Sequence, residues 1–177
     1  CDALSDYAVA KVYVIKGREQ GKPIHAIVAD MEMAERYGEV NDIVRMIASK
    51  FLPGPLTLIL KKKTGIDTGI ARDIDTIGIR IPNNKFCLAL SRQFNSAITT
   101  TSANRSGAAP PRRFPDILIQ LGASVRDIDL IIDAGELPER LPSTVVDVSS
   151  GTAHILREGA IFIEDIQACV GSGNMVV

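Results

Sequence analysis

A chain of 177 residues, 46% hydrophobic and 23% charged, has the makeup of one globular domain with room for a substantial core. Its net charge of −1 excludes a whole-protein field drawing it to nucleic acid or membrane, so any such binding needs a local basic patch. Cys1, Cys87 and Cys169 are odd in number and far apart, no apolar run reaches membrane-spanning length and no signal-peptide pattern opens the chain, which argues against a zinc knuckle, a disulfide framework or a membrane anchor and makes a cytoplasmic protein the expectation.

Ser5 caps an expected helix whose apolar positions Val9, Val12 and Tyr13 fall at helical spacing. The helix delivers Lys16-Gly-Arg-Glu-Gln-Gly-Lys-Pro23, a basic turn. It is not a P-loop, because Gly17 to Gly21-Lys22 is one residue short and Pro23 stands where Ser or Thr should hold magnesium. Contact with phosphate by another geometry and a solvated charged turn are both open readings. Residues 24–29 read as a strand, and its His25 has no second ligand nearby, which argues against a metal role. Asp30 caps a short helix through Tyr37. Asn41 or Asp42 opens another, with Ile43, Met46, Ile47 and Phe51 on one face, and Pro53-Gly54-Pro55 stops it.

Residues 56–60 form a short apolar strand ending on Lys61-Lys62-Lys63. That run either grips RNA phosphates or solvates an edge strand. After a loop to Asp75, Thr76-Ile-Gly-Ile-Arg-Ile-Pro82 alternates cleanly. Ile77, Ile79 and Ile81 share one face and Thr76, Gly78 and Arg80 the other, where a planar guanidinium suits a carboxylate. A helix over residues 85–94 is expected to turn Phe86, Leu88 and Leu90 inward. It leads to what reads as the central strand, within Ala97-Ile-Thr-Thr-Thr-Ser-Ala-Asn-Arg-Ser-Gly-Ala-Ala-Pro-Pro111. A strand that empties into small polar residues and glycine can build an anion pocket, although a plain polar loop has the same composition.

Arg112-Arg113 adds a second basic spot before a helix at residues 114–121. Residues 128–132 read as a strand, as do 143–148 and 154–159, with Ser143 at one mouth and Arg157 at another strand end. A last helix leads to a tail at 171–177, after a single domain over 1–170. The pattern is α/β, an open mixed sheet with flanking helices and no strict alternation.

The polar set is Lys16, Arg18, Lys22, Thr76, Arg80, Ser102, Asn104, Ser143 and Arg157. It lacks Cys, His and a close carboxylate pair, which argues against thiol, zinc-hydrolase or glycosidase chemistry. It suits phosphates and a carboxylate, where catalysis is positioning and charge stabilisation. The residues by themselves stop at a nucleotide-sized anion pocket with the reaction unspecified.

Six motifs in order resemble the YrdC-like family of threonylcarbamoyl-AMP synthases. They are Lys16-Gly-Arg18 with Lys22-Pro23, Phe51-Leu-Pro-Gly-Pro-Leu-Thr57, Thr76-Ile-Gly-Ile-Arg-Ile-Pro82, Thr101-Ser-Ala-Asn-Arg-Ser-Gly107, Pro142-Ser-Thr-Val-Val-Asp147 and Ile155-Leu-Arg-Glu-Gly-Ala160. The resemblance implies an open twisted sheet with a concave, partly basic cavity. It implies synthesis of threonylcarbamoyl-AMP from L-threonine, bicarbonate and ATP, with magnesium accompanying the nucleotide and no metal ligand from the protein. A separate transferase would then modify tRNA beside the anticodon. By motif position, Lys16 and Arg18 would be catalytic at the phosphates. Arg18, Lys22, Thr76, Ser102, Asn104, Pro110 and Arg157 would bind ATP, and Arg80, Thr100 and Ser143 would hold threonine.

The family's Pro-Thr-x-Thr-x-Tyr-Gly-Leu motif would lie just before Cys1, so the chain reads as starting inside a domain, and as the short form without a C-terminal extension. Two other functions fit the same residues. One is a non-catalytic RNA-binding, translation-associated module using a basic rim of Lys61, Lys62, Lys63, Arg112 and Arg113. The other is a carbamoyl-transfer domain detached from a maturation enzyme.

Overall fold

Alternating and continuous apolar runs build the sheet, and short capped helices cover its apolar side. In the computed structural model, residues 1–176 are described. The strands are β1 (His25–Ile27), β2 (Leu56–Lys61), β3 (Thr76–Arg80), β4 (Ile98–Thr100), β5 (Thr144–Asp147), β6 (Ala153–Arg157) and β7 (Met175–Val176). They form one open mixed sheet in the order β4-β1-β3-β2-β5-β6-β7. β1/β3, β2/β5 and β6/β7 are parallel, while β1/β4, β2/β3 and β5/β6 are antiparallel.

The helices are α1 (Asp6–Lys16), α2 (Met31–Ala34), α3 (Asp42–Phe51), α4 (Lys85–Phe94), α5 (Phe114–Leu121) and α6 (Ile163–Val170). The expected caps form. Ser5, Asp30, Asn41 and Asn84 each accept the backbone N–H three residues on, satisfying a donor the helix cannot pair itself. Leu56, Leu60, Ile77 and Val146 from the sheet meet Ile47 of α3 and Ile166 of α6 in the core.

Several expectations change. Residues 98–100 are an edge strand, not a central one; β4 pairs with β1 on one side and meets only an isolated bridge from Asp2 on the other. Conversely, β2 is interior, flanked by β3 and β5, so the lysines at its end do not protect an edge. Residues 128–132 are not a strand: Leu130 and Ile132 are exposed, and apolar residues without a partner ladder do not make a sheet. In α4 the helix presents Ser91 to the core, bonded to Met33 Sδ at 3.3 Å, and leaves Phe86 and Leu90 exposed. In α3, Val44 and Ala48 join Ile47 inside, and Met46 faces out. The stretch expected as a tail makes a 3-10 turn and then β7, because Met175 packs on the core and pairs with Ala153. Val177 lies outside the described residues. No helix among them is long and apolar enough to cross a membrane.

Candidate functional site

Two loops are tied together before any ligand is considered. Gly17 ends α1 in the left-handed region (φ 56°), its N–H returning to Tyr13 and Val14, which turns the chain into the basic loop. At that end Lys16 is buried, 5% exposed, and its Nζ donates to three oxygens. These are the Ser102 carbonyl, the Asn104 carbonyl at 2.8 Å and Asn104 Oδ1 at 3.1 Å. Asn104 is buried as well. Its amide donates to the Arg105 and Ala108 carbonyls at 2.9 and 2.6 Å, while Ser102 Oγ donates to its Oδ1. Ser106 N–H closes the junction on the Lys16 carbonyl at 2.8 Å.

Above this junction, the polar face of the sheet carries a hollow of about 500 Å³, within the usual range for a small-molecule site. β2 contributes Thr57, β3 Arg80, β4 Thr100 and β6 Arg157; Arg18, Ser102, Pro110 and Ser143 enter from loops, and His25 comes from β1. Arg157 donates through Nε and Nη2 to the Ser143 carbonyl at 3.1 and 2.8 Å, and through Nη2 to Ser143 Oγ at 3.1 Å. Ser143 Oγ shares a further hydrogen bond with Thr57 Oγ1 at 2.9 Å. Arg80 donates to the Gly54 carbonyl at 3.3 Å, and Arg18 to the Pro23 carbonyl at 3.0 Å. Arg80 and Thr100 also border an adjoining cavity of about 710 Å³ that reaches Asn84 and Arg140.

Three guanidinium groups line the hollow and no carboxylate does. Burial, then repulsion by Arg140 and Arg157, pushes Arg80 below the ordinary arginine range, with Cys87 opposing. Burial, then Arg18, lowers Lys16. His25 is held down by burial and then by Arg157, Arg18 and Arg80. A cavity that disfavours its own positive charges attracts anions.

The structure therefore brings Arg18, Arg80, Thr100, Ser102, Pro110, Ser143 and Arg157 together. Four other expected site residues lie elsewhere. Thr76 sits at the far end of β3, about 13 Å from Arg80 at the usual strand rise, in a separate depression with Lys61, Lys62 and Lys63. The alternation that put both on one face is correct, but a shared face is not a shared site. Lys22 is not among the lining residues and pairs with Glu19 at 3.0 Å. Lys16 and Asn104 lie beneath the loop with their polar groups already bonded, so they shape the wall and do not face the hollow. The lysine rim is not free either, since Lys61 pairs with Glu39 and Lys62 with Asp67, while Arg112 pairs with Glu136.

Six lining residues, Pro23, Ile24, His25, Thr57, Thr101 and Pro142, were not anticipated as site residues, and two of them bear on the chemistry. Thr57 is fully buried among leucines, and the alternation Leu56, Leu58, Leu60 would have placed it on the opposite face from them. His25 was weighed only as a metal ligand; its register opposite Thr100 puts it at the floor of the hollow.

Fold and lining together define an α/β domain with a hollow lined by three arginines on one face of an open mixed sheet. The chain belongs to the Sua5/YciO/YrdC family, whose profile, described as "Telomere recombination", matches residues 1–159. A candidate threonylcarbamoyl-AMP synthase of Methanocaldococcus jannaschii is 41% identical over 168 residues, covering 95% of this chain and 77% of that protein. The structure of Pyrococcus abyssi Sua5 complexed with L-threonine superposes with a TM-score of 0.87 at 30% identity, over 99% of this chain and 51% of that one. Full-length HypF in its phosphate- and nucleotide-bound form matches at a TM-score of 0.73 and 27% identity, over 89% of this chain and 24% of HypF. The chain thus spans about half of the Sua5 it matches.

Proposed function

We propose that this chain carries the site for making threonylcarbamoyl-AMP from L-threonine, bicarbonate and ATP, with release of pyrophosphate. The observation that carries the reading is the hollow itself: three arginines and a row of hydroxyls, without a carboxylate, in a domain akin to a threonine-bound protein. Threonine's amine adds to bicarbonate-derived carbon dioxide and yields a carbamate anion, with the amine proton passing to solvent. A carbamate oxygen attacks the α-phosphorus of ATP, the bond to the β-phosphate oxygen breaks, and pyrophosphate leaves. The attacking group is already anionic, so the attack on phosphorus needs no general base from the protein.

In this reading Arg18 and Arg157 neutralise the phosphates and the leaving group, with Ser102 and Pro110 beside them. Arg80 clamps the threonine carboxylate between the two adjoining cavities, and Thr100 and Ser143 complete the amino-acid side. Lys16 acts through Asn104 by fixing the loop that bears Ser102. No group of three or more acidic, His or Cys side chains able to hold a metal occurs among the described residues. The lining therefore does not suit direct ligation of magnesium, and we route no step through that ion; it would enter on the triphosphate. The product, a mixed anhydride, calls for a separate transferase that passes the threonylcarbamoyl group to tRNA. A cytoplasmic setting suits both that partner and the free cysteines.

Likeness to HypF in its phosphate- and nucleotide-bound form is compatible with a second reading, a carbamoyl-transfer domain. Pyrophosphate release from ATP measured with and without threonine and bicarbonate separates the two. Release that needs both supports the synthase. Release independent of threonine, or none under conditions where ATP binds, contradicts it. An RNA-binding rim is less favoured, because its lysines are largely paired with carboxylates.

A further inference from the structure

Within the hollow, His25 is the lining group that changes charge near neutral pH. Its ring lies over Gly78 of the neighbouring strand, where a Cβ would come 2.4 Å from His25 Cδ2. Glycine leaves the room that lets the imidazole lie against the sheet. No side-chain polar atom of the described residues is both sealed and unpaired, and neither ring nitrogen of His25 has a hydrogen-bond partner among them; both therefore reach solvent, and the residue lines the cavity. The charged groups facing it are Arg18 from the loop after α1, Arg80 from β3 and Arg157 from β6. Thr57, Thr100, Ser102 and Ser143 add only hydroxyls.

We propose that His25 takes up a proton when a polyphosphate enters the hollow and then donates a hydrogen bond to it. The inference rests on the nucleotide reading above and adds to it a proton-coupled contact. In the free protein, burial and the three guanidinium groups keep the imidazole neutral at pH 7. A triphosphate sets anionic oxygens beside the ring and offsets the guanidinium charge that disfavours its protonation, which favours imidazolium. The proton that arrives is taken from solvent. Linkage then requires nucleotide affinity to rise as pH falls, from the midpoint of the complex down to the midpoint of the free protein.

The test uses the intact chain. It has two histidines, His25 and His154, so their imidazole resonances are readily separated, and His154 lines a different surface depression. Titrating the wild-type protein by NMR, His25 should show a midpoint below the ordinary value when free. Its midpoint should move up with saturating ATP, by about a tenfold or greater change in proton affinity. Titration calorimetry in buffers of different ionisation enthalpy should show more proton uptake on ATP binding in wild type than in His25→Gln, with ATP's own protonation cancelling. His25→Gln should cost about tenfold in affinity at pH 6 and little at pH 8. A His25 midpoint that does not move in a protein that binds ATP overturns this proposal and leaves the nucleotide reading standing. Failure of both proteins to bind ATP overturns both.

Discussion

Arg157, on the strand paired with the one that begins just after Ser143, donates twice to the Ser143 carbonyl at 2.8 and 3.1 Å and once to its hydroxyl at 3.1 Å. One of these residues is assigned to the nucleotide and the other to the amino acid, so the two halves of the site share a wall. Ser143→Ala should therefore weaken ATP binding by about threefold to tenfold, although the serine is placed on the threonine side. Combined with Arg157→Ala, the losses should fall short of additivity by about 0.5–1 kcal/mol. A double-mutant cycle followed by calorimetry checks this; strict additivity would separate the two halves.

Lys16 and Lys22 belong to one basic motif but should behave oppositely. Lys16→Met removes the donor shared by the buried Asn104 and the part-buried Ser102 carbonyl and should destabilise the fold by about 2 kcal/mol, with ATP binding lost only as the Ser102 loop loosens. Lys22→Ala removes an exposed pair with Glu19 and should change stability by less than about 0.5 kcal/mol. Urea unfolding distinguishes them, and equal stabilities would contradict the role given to Lys16.

Gly78→Ala places a methyl 2.4 Å from His25 Cδ2 and 3.1 Å from Ile59 Cδ1. Overpacking of this kind should cost about 1–3 kcal/mol and tilt the imidazole out of line. Unfolding midpoints and ATP titration on one preparation would reveal both effects, whereas an unperturbed variant would mean the sheet yields freely there.

The folded midpoint of His25 lies below its unfolded value, so below pH 6.5 the unfolded chain binds more protons. Stability of the ligand-free protein should fall as pH drops through that point and level off below the folded midpoint. Asp6, Asp67 and Asp129, lowered first by hydrogen bonds to Arg72, Lys62 and Lys11, lose their contributions only further down, as pH falls through the carboxylate range. Urea midpoints from pH 8 to 5 should show the first slope in wild type and lose it in His25→Gln; the same slope in both would assign it elsewhere.

Thr76 offers a clean contrast within one strand. Its substitution by Ala should leave ATP affinity within about twofold, because it lies at the end of β3 away from Arg80. A tenfold loss in a binding titration would return it to the site.

Much of this was legible in the residues because each signal was local. Capping side chains, the alternation at Thr76–Arg80 and the small polar run after Thr100 mark elements that their own sequence decides. What was not legible depends on partners distant in the chain. Residues 128–132 have the apolar run of a strand but no ladder to join, and whether Ile98–Thr100 lies at the edge or the centre of the sheet cannot be read from β4 alone. Charge type identified Lys16 as cationic, but only the fold reveals that Asn104 and Ser102 occupy its donors. Thr57 was hidden because a single hydroxyl in an apolar strand is ordinary until Ser143, 86 residues on, meets it.

The central claim is that one hollow holds a triphosphate and a small amino acid in adjoining compartments, with Arg18 on the first and Arg80 on the second. Calorimetric affinities for ATP and for threonine, measured on wild type, Arg18→Ala and Arg80→Ala, test it most directly. The account predicts that Arg18→Ala weakens ATP more than threonine and that Arg80→Ala does the reverse. Equal losses for both ligands in both variants, or none, would contradict it.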